Sequence, residues 1–234
     1  GFKNKVTETF HTLLVVPAKL PPQGRMLGVA PNTIPLFYRR LLDDAENQNQ
    51  ILFNYVLNRI ENVKFVPASQ QNKDWAAFYN PNAALQGVLN INENMFSLDP
   101  SEPEKMITAY PQINSAATIL HEARHGDGIV HSECEFIYQN KQDTRDCDYE
   151  LIGPYGFDVL YTEMVLHGMS LPGPNGTIER LTDVDITNIA PQICFILRNR
   201  TKYLPKELAK LLEDNASCAR FYNVNWILMQ EGLL

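Results

Sequence analysis

The strongest constraint on this chain is the run Thr118-Ile-Leu-His-Glu-Ala-Arg-His-Gly-Asp-Gly-Ile-Val-His131, which reads H-E-x-x-H-x-x-G-x-x-H from His121. On a helix, His121 and His125 stand at i and i+4, so both imidazoles leave one face about a turn apart. Two imidazoles fixed in this way make half of a tetrahedral zinc site. Glu122 lies beside them, where it reaches a metal-activated water rather than the metal. Gly128 tolerates the left-handed conformation in which helices end, and the chain can then turn and bring His131 towards the same ion. Three of the five histidines in 234 residues fall in this pattern. The ordinary alternative is a helix end whose histidines pair with Glu122, Asp127 or Glu133.

The spacing resembles the metzincin branch of the zinc metallopeptidases, over residues 121–131 only. The resemblance implies a zincin-like α+β fold in which a small mixed sheet packs on the motif helix and a mainly helical C-terminal lobe follows. It implies Zn2+ held by His121, His125 and His131, with Glu122 as general base. Peptide bonds of a peptide or protein substrate would be hydrolysed by a zinc-activated water. Metzincins also carry a methionine turn beneath the metal. Met169, in His167-Gly-Met-Ser170, is a better candidate for it than Met164, although core packing is the commoner role of methionine. Tyr155 and Tyr161 are candidate donors to an oxyanion, with a buried structural role as the alternative for each. Glu163 is the rival third ligand, because the thermolysin-like branch uses a glutamate on a later helix. Its ordinary alternatives are a salt bridge to Arg124 or exposure to solvent. Two other functions stay open: an amide hydrolase of the same fold acting on a non-protein substrate such as cell wall, and a metal-binding module without turnover. Glu122 favours an enzyme, since a mere binder needs no base beside the ion.

Composition narrows the partners. The net charge is −7 with no Lys/Arg cluster, which argues against nucleic acid. The longest apolar run, near Leu13 to Ala18, is too short to span a bilayer. Cys134, Cys147, Cys194 and Cys218 form no C-x-x-C pair, so a separate structural zinc site is not expected. An even count fits two disulfides in an exported, processed chain, secreted or periplasmic. Spacing suggests Cys134 with Cys147 and Cys194 with Cys218, one of three connectivities; four reduced, buried thiols are the alternative. Asn175, Asn199 and Asn215 begin glycosylation sequons.

The chain reads as one catalytic domain, 1–234, with lobes of about 1–128 and 129–234. The N-terminal segment, rich in proline, suggests one strand near Thr12 to Val16 and then an irregular wrap. Residues 36–62 have helical periodicity. Val63 to Val66, Trp75 to Tyr79 and Gly87 to Ile91 read as short strands. Gly87 to Ile91 is the expected edge strand that pairs with extended substrate. The motif helix is expected to start near Asn114 or Ser115, both good N-caps. Ser132 to Asp148 reads as a surface loop, Gly153 to Gly156 as a turn, Phe157 to His167 as a helix and Leu171 to Gly176 as a turn. Helices are expected at Ile186 to Arg200 and Pro205 to Glu213, with Phe221 to Met229 closing the core.

Overall fold

The computed structural model describes residues 2–16, 48–67, 76–80, 87–92, 95, 111–134, 147–149, 153–172 and 177–202, together with 209–210, 212, 216–218 and 220–222. Their elements are α1 (Phe2–Val15), α2 (Gln48–Leu57), β1 (Asn62–Val66), β2 (Ala77–Tyr79), β3 (Val88–Asn92) and α3 (Pro111–His125). Next come α4 (Pro154–Gly168), β4 (Ser170–Pro172), β5 (Ile178–Arg180) and α5 (Asp183–Arg200). The described chain is thus mixed α and β. None of its helices is long and apolar enough to cross a membrane.

Thr12 to Val16 does not form the expected strand; Thr12 to Val15 is the last turn of α1. Its threonines are β-branched, but Thr7, Thr9 and Thr12 donate their hydroxyls to the carbonyls four residues back. Leu13 and Val16 are fully buried, and packing against α2 and α3 overrides the local preference. Of the helix expected over 36–62, the described part is α2; residues 36–47 lie outside the described residues.

The three expected strands form one sheet in the order β1-β3-β2, with β1 parallel and β2 antiparallel to β3. The assignment of Gly87 to Ile91 as the edge strand is therefore wrong. Residues 88–92 form the central strand, with partners on both sides, and cannot add a peptide. Leu89 and Ile91 are completely buried, as suits a central strand. At its start Gly87 has φ +81, and a Cβ there would press on the Glu61 side chain. Its carbonyl accepts from the Glu61 and Asn62 amides, which sets the register of β1 on β3.

The motif helix α3 begins at Pro111, earlier than the polar N-cap candidates suggested. Proline suits a first helical position because its missing N–H has no partner there in any case. Ile113, Ala116, Ala117, Ile119, Leu120 and Ala123 are all at most 2% exposed. The helix is enclosed by α1, α2, β2 and α4. The expected turn at Gly153 to Gly156 is instead the N-cap and first turn of α4, with Pro154 at its start. The expected turn from Leu171 is part of the β4–β5 hairpin; residues 173–176 lie outside the described residues. Helix α5 opens with a reciprocal cap in which Thr182 and Asp185 satisfy each other's backbone amides, a device that fixes helix entry. The helix expected at 205–213 and the segment 221–229 are described only in part.

Beyond the helix end, Asp127 gathers donors from two elements. Tyr55 Oη donates at 2.6 Å, Arg59 Nε at 2.7 Å and Arg124 Nη1 at 2.7 Å. Burial alone would raise the Asp127 carboxyl, but these three bonds hold it below the usual carboxylate range. Arg59 also lies over the Tyr55 ring, Tyr55 stacks on Phe157, and Arg124 faces the other aromatic of that pair. Together these contacts clamp the histidine-bearing end of α3 to α2 and α4. Asp127→Ala removes these three hydrogen bonds between α2 and the end of α3 and should lower stability by about 2–3 kcal/mol, read as a fall in the urea midpoint at unchanged m-value.

Candidate metal centre

His121 and His125 project from the last turn of α3. That turn closes with amide bonds from Gly126, Asp127 and Gly128 to the carbonyls three residues back. Gly128, at φ +80, ends the helix in the left-handed conformation and lets the chain return with His131. The three rings come together with centroids 4.6–5.2 Å apart, and one ligand atom of each lies within 4.8 Å of the others.

Hydrogen bonding determines which ring nitrogens face each other. His121 Nδ1 bonds Asp158 Oδ2 at 3.0 Å, His125 Nδ1 the Ile129 carbonyl at 2.7 Å, and His131 Nδ1 Asp148 Oδ1 at 3.1 Å. With Nδ1 of each ring engaged by an oxygen, the Nε2 side is the one left for a metal, the arrangement in which metal-binding histidines are oriented by outer partners. His121 Nε2 and His131 Nε2 stand 3.2 Å apart. Two ligands of a tetrahedral zinc at 2.0–2.1 Å are separated by about 3.3–3.4 Å, so this pair of nitrogens is spaced much as two ligands of one small ion are. The described histidines can therefore hold a metal ion.

Asp148 is the more heavily constrained of the two outer carboxylates. It is fully buried; Oδ2 accepts the Gly156 amide at 2.9 Å, at the positive end of α4. Its backbone pairs with the Arg200 carbonyl and the Lys202 amide. Gly153 packs so closely on this carboxylate that any Cβ would collide with it. Asp148 and Asp158 were not foreseen from the sequence. The available clue was chemical: each ligand histidine needs an acceptor for its second nitrogen, and Asp148 follows Cys147 directly.

Glu122 is 5% exposed. Burial raises its carboxyl above the ordinary range, opposed by the His121 charge and by a hydrogen bond from the Tyr79 backbone. At His121 burial favours the neutral ring, yet Asp158 outweighs it, by charge and by hydrogen bond, and the imidazole is raised to about 9. Tyr155 stacks on His131 and meets His121 edge-on, so it lines the cluster. Tyr161 is buried in the core, and its hydroxyl has no hydrogen-bond partner among the described residues. Met169 caps α4 at φ 54 and packs against the core. Glu163, the rival ligand, is not exposed: it is buried and accepts Tyr222 Oη at 2.6 Å, while Arg124 bonds Asp127. The cysteines are bonded Cys134–Cys147 and Cys194–Cys218.

No protein-family model, no curated protein and no solved structure matches this chain.

Two outcomes follow. His131→Ala should release bound zinc to a modest chelator, whereas Glu163→Gln, whose oxygen serves Tyr222, should keep it; metal analysis after dialysis decides. Zinc must displace the His121 proton, which the metal-free protein holds up to about pH 9. Affinity should therefore fall as pH falls, by about tenfold per unit between pH 9 and 7, with one proton released per ion. Calorimetric titrations in buffers of different ionisation enthalpy check this, and a flat profile contradicts it.

Proposed function

We propose that the chain is a zinc-dependent hydrolase of zincin-like, metzincin-type arrangement that cleaves peptide bonds, with Glu122 as general base. The observation that carries this reading is the Glu122 carboxylate: it is buried beside three convergent imidazole nitrogens. A site that only stored metal has no use for a fourth ionisable group so placed. Three imidazole ligands are a set that catalytic zinc uses, with water completing its shell. When bound, zinc supplies Lewis acidity, which acidifies water and polarises a carbonyl.

The chain's own residues supply the rest. Glu122, held on the Tyr79 backbone amide, takes a proton from the attacking water and returns it to the leaving amine. Asp148, Asp158 and the Ile129 carbonyl keep the imidazoles in the tautomer that offers Nε2. Strand β2 supports a peptide substrate. Among the described residues it lies at the edge of the sheet, beside α3. Ala76 directs its carbonyl to β3, so the alternation of an antiparallel strand turns the backbone groups of Ala77 and the Tyr79 carbonyl the other way, the Tyr79 amide being taken by Glu122. An extended peptide laid along that edge would reach Glu122, by β-augmentation. Two disulfides argue for a compartment outside the reducing cytoplasm, which suits a secreted or periplasmic hydrolase.

Glu122→Gln keeps the shape and removes the base. Its rate on an unstructured protein substrate such as casein should fall by about 10²–10⁴, with zinc content unchanged. A variant as fast as the parent contradicts the assignment. If the parent cleaves no peptide bond but releases amine from peptidoglycan, the substrate is a cell-wall amide instead.

A further inference from the structure

We propose that the third ligand is under redox control: the Cys134–Cys147 disulfide holds His131 in the site, and its reduction by a thiol weakens metal binding. This rests on the three histidines holding a metal and is independent of hydrolysis.

His131 is the one ligand that α3 does not carry. His121 and His125 are fixed by the helix itself, whereas the segment bearing His131 leans on chain beyond residue 146. Ser132 and Cys147 exchange both backbone bonds, at 2.7 and 3.0 Å, and Ser132 Oγ donates to the Cys147 carbonyl at 3.1 Å. The acceptor that orients His131 is Asp148, the next residue. The disulfide, with its Cα atoms 5.2 Å apart and its cysteines 13 residues apart in sequence, joins the same two segments. It therefore brackets both the ligand, three residues before Cys134, and its carboxylate, one residue after Cys147. Without the bond, a short backbone bridge must hold the ends of that loop together against its conformational entropy.

The two disulfides differ in access. Cys134 is half-buried, while Cys147, Cys194 and Cys218 are at most 1% exposed. Exchange requires a thiolate to reach a sulfur, so Cys134 is the point of entry. The attacking thiolate bonds to Cys134 Sγ, the S–S bond breaks, and Cys147 leaves as a thiolate that takes a proton. A second thiol of the reductant then displaces Cys134 from the mixed disulfide. Overall, a dithiol is oxidised to its disulfide, and two electrons and two protons pass to the cysteines.

The test titrates zinc into three metal-free proteins of full length. These are the parent, the C134S/C147S double variant, and parent briefly reduced with dithiothreitol, alkylated and freed of reagent. Peptide mapping of the third should find Cys134 and Cys147 alkylated and Cys194–Cys218 intact. Both altered proteins should bind zinc about 10–100-fold more weakly, the loss typical of disturbing outer-shell support, with far-UV circular dichroism unchanged. His131→Ala should weaken the parent at least as much as loss of the disulfide does, and should cost less in the C134S/C147S background than in the parent. A C194S/C218S control should keep the parent's affinity. Affinities within threefold of the parent overturn the proposal. So does equal loss in the control, or loss of folded structure in both altered proteins, since the bond would then support the fold rather than the ligand. A parent that binds no zinc removes the metal centre as well, which separates the two failures.

Discussion

The site depends on three ring nitrogens being committed elsewhere. An imidazole offers a metal one nitrogen, and which one is decided by the hydrogen bond at the other. Here Asp158, the Ile129 carbonyl and Asp148 each engage an Nδ1, which leaves the Nε2 side of each ring for a metal. The same carboxylate that orients His121 also raises its imidazole to about 9, because the charge and hydrogen bond of Asp158 oppose the effect of burial. A divalent ion bound there must therefore displace that proton.

The fold supplies these acceptors from separate places. Ile129 comes from the turn after α3, Asp158 from the second turn of α4, and Asp148 from a segment bridged to both His131's neighbour and the end of α5. Helix α3 is the common reference. It is enclosed by α1, α2, β2 and α4, and its C-terminal end is pinned through Asp127 to Tyr55 and Arg59. That pinning keeps two histidines at fixed pitch. The third histidine arrives by a left-handed glycine and a disulfide-closed loop, so precision there is built from cross-links rather than from helical packing.

What the sequence made legible was local. The i, i+4 histidines, the glycine that ends their helix and the adjacent glutamate are spaced by helix geometry alone, and the cysteine pairs follow from short separations. The two long-range acceptors were not legible. Asp148 and Asp158 lie in sequence beyond the motif, and nothing in a linear reading ranks them above Glu133 or Glu163. Strand order was hidden for the same reason. Gly87 to Ile91 reads as a strand, but its central place appears only when β1 and β2 pair on either side. Thr12 to Val16 was misread because β-branched residues in a short apolar run suit a strand equally well; burial of Leu13 and Val16 against neighbouring helices decided the matter. Glu163 was weighed as a rival ligand, a salt-bridge partner of Arg124 or a solvent-exposed group; its bond to Tyr222, 59 residues later, joins parts of the chain that a linear reading does not connect.

The convergence of three Nε2 atoms on one ion is the claim on which the account stands. X-ray absorption at the zinc edge, on protein loaded with one equivalent, tests it most directly. The account predicts three imidazole ligands at about 2.0–2.1 Å, a lighter oxygen ligand completing the shell, and no sulfur. Fewer than three imidazoles, or a thiolate distance near 2.3 Å, would contradict it.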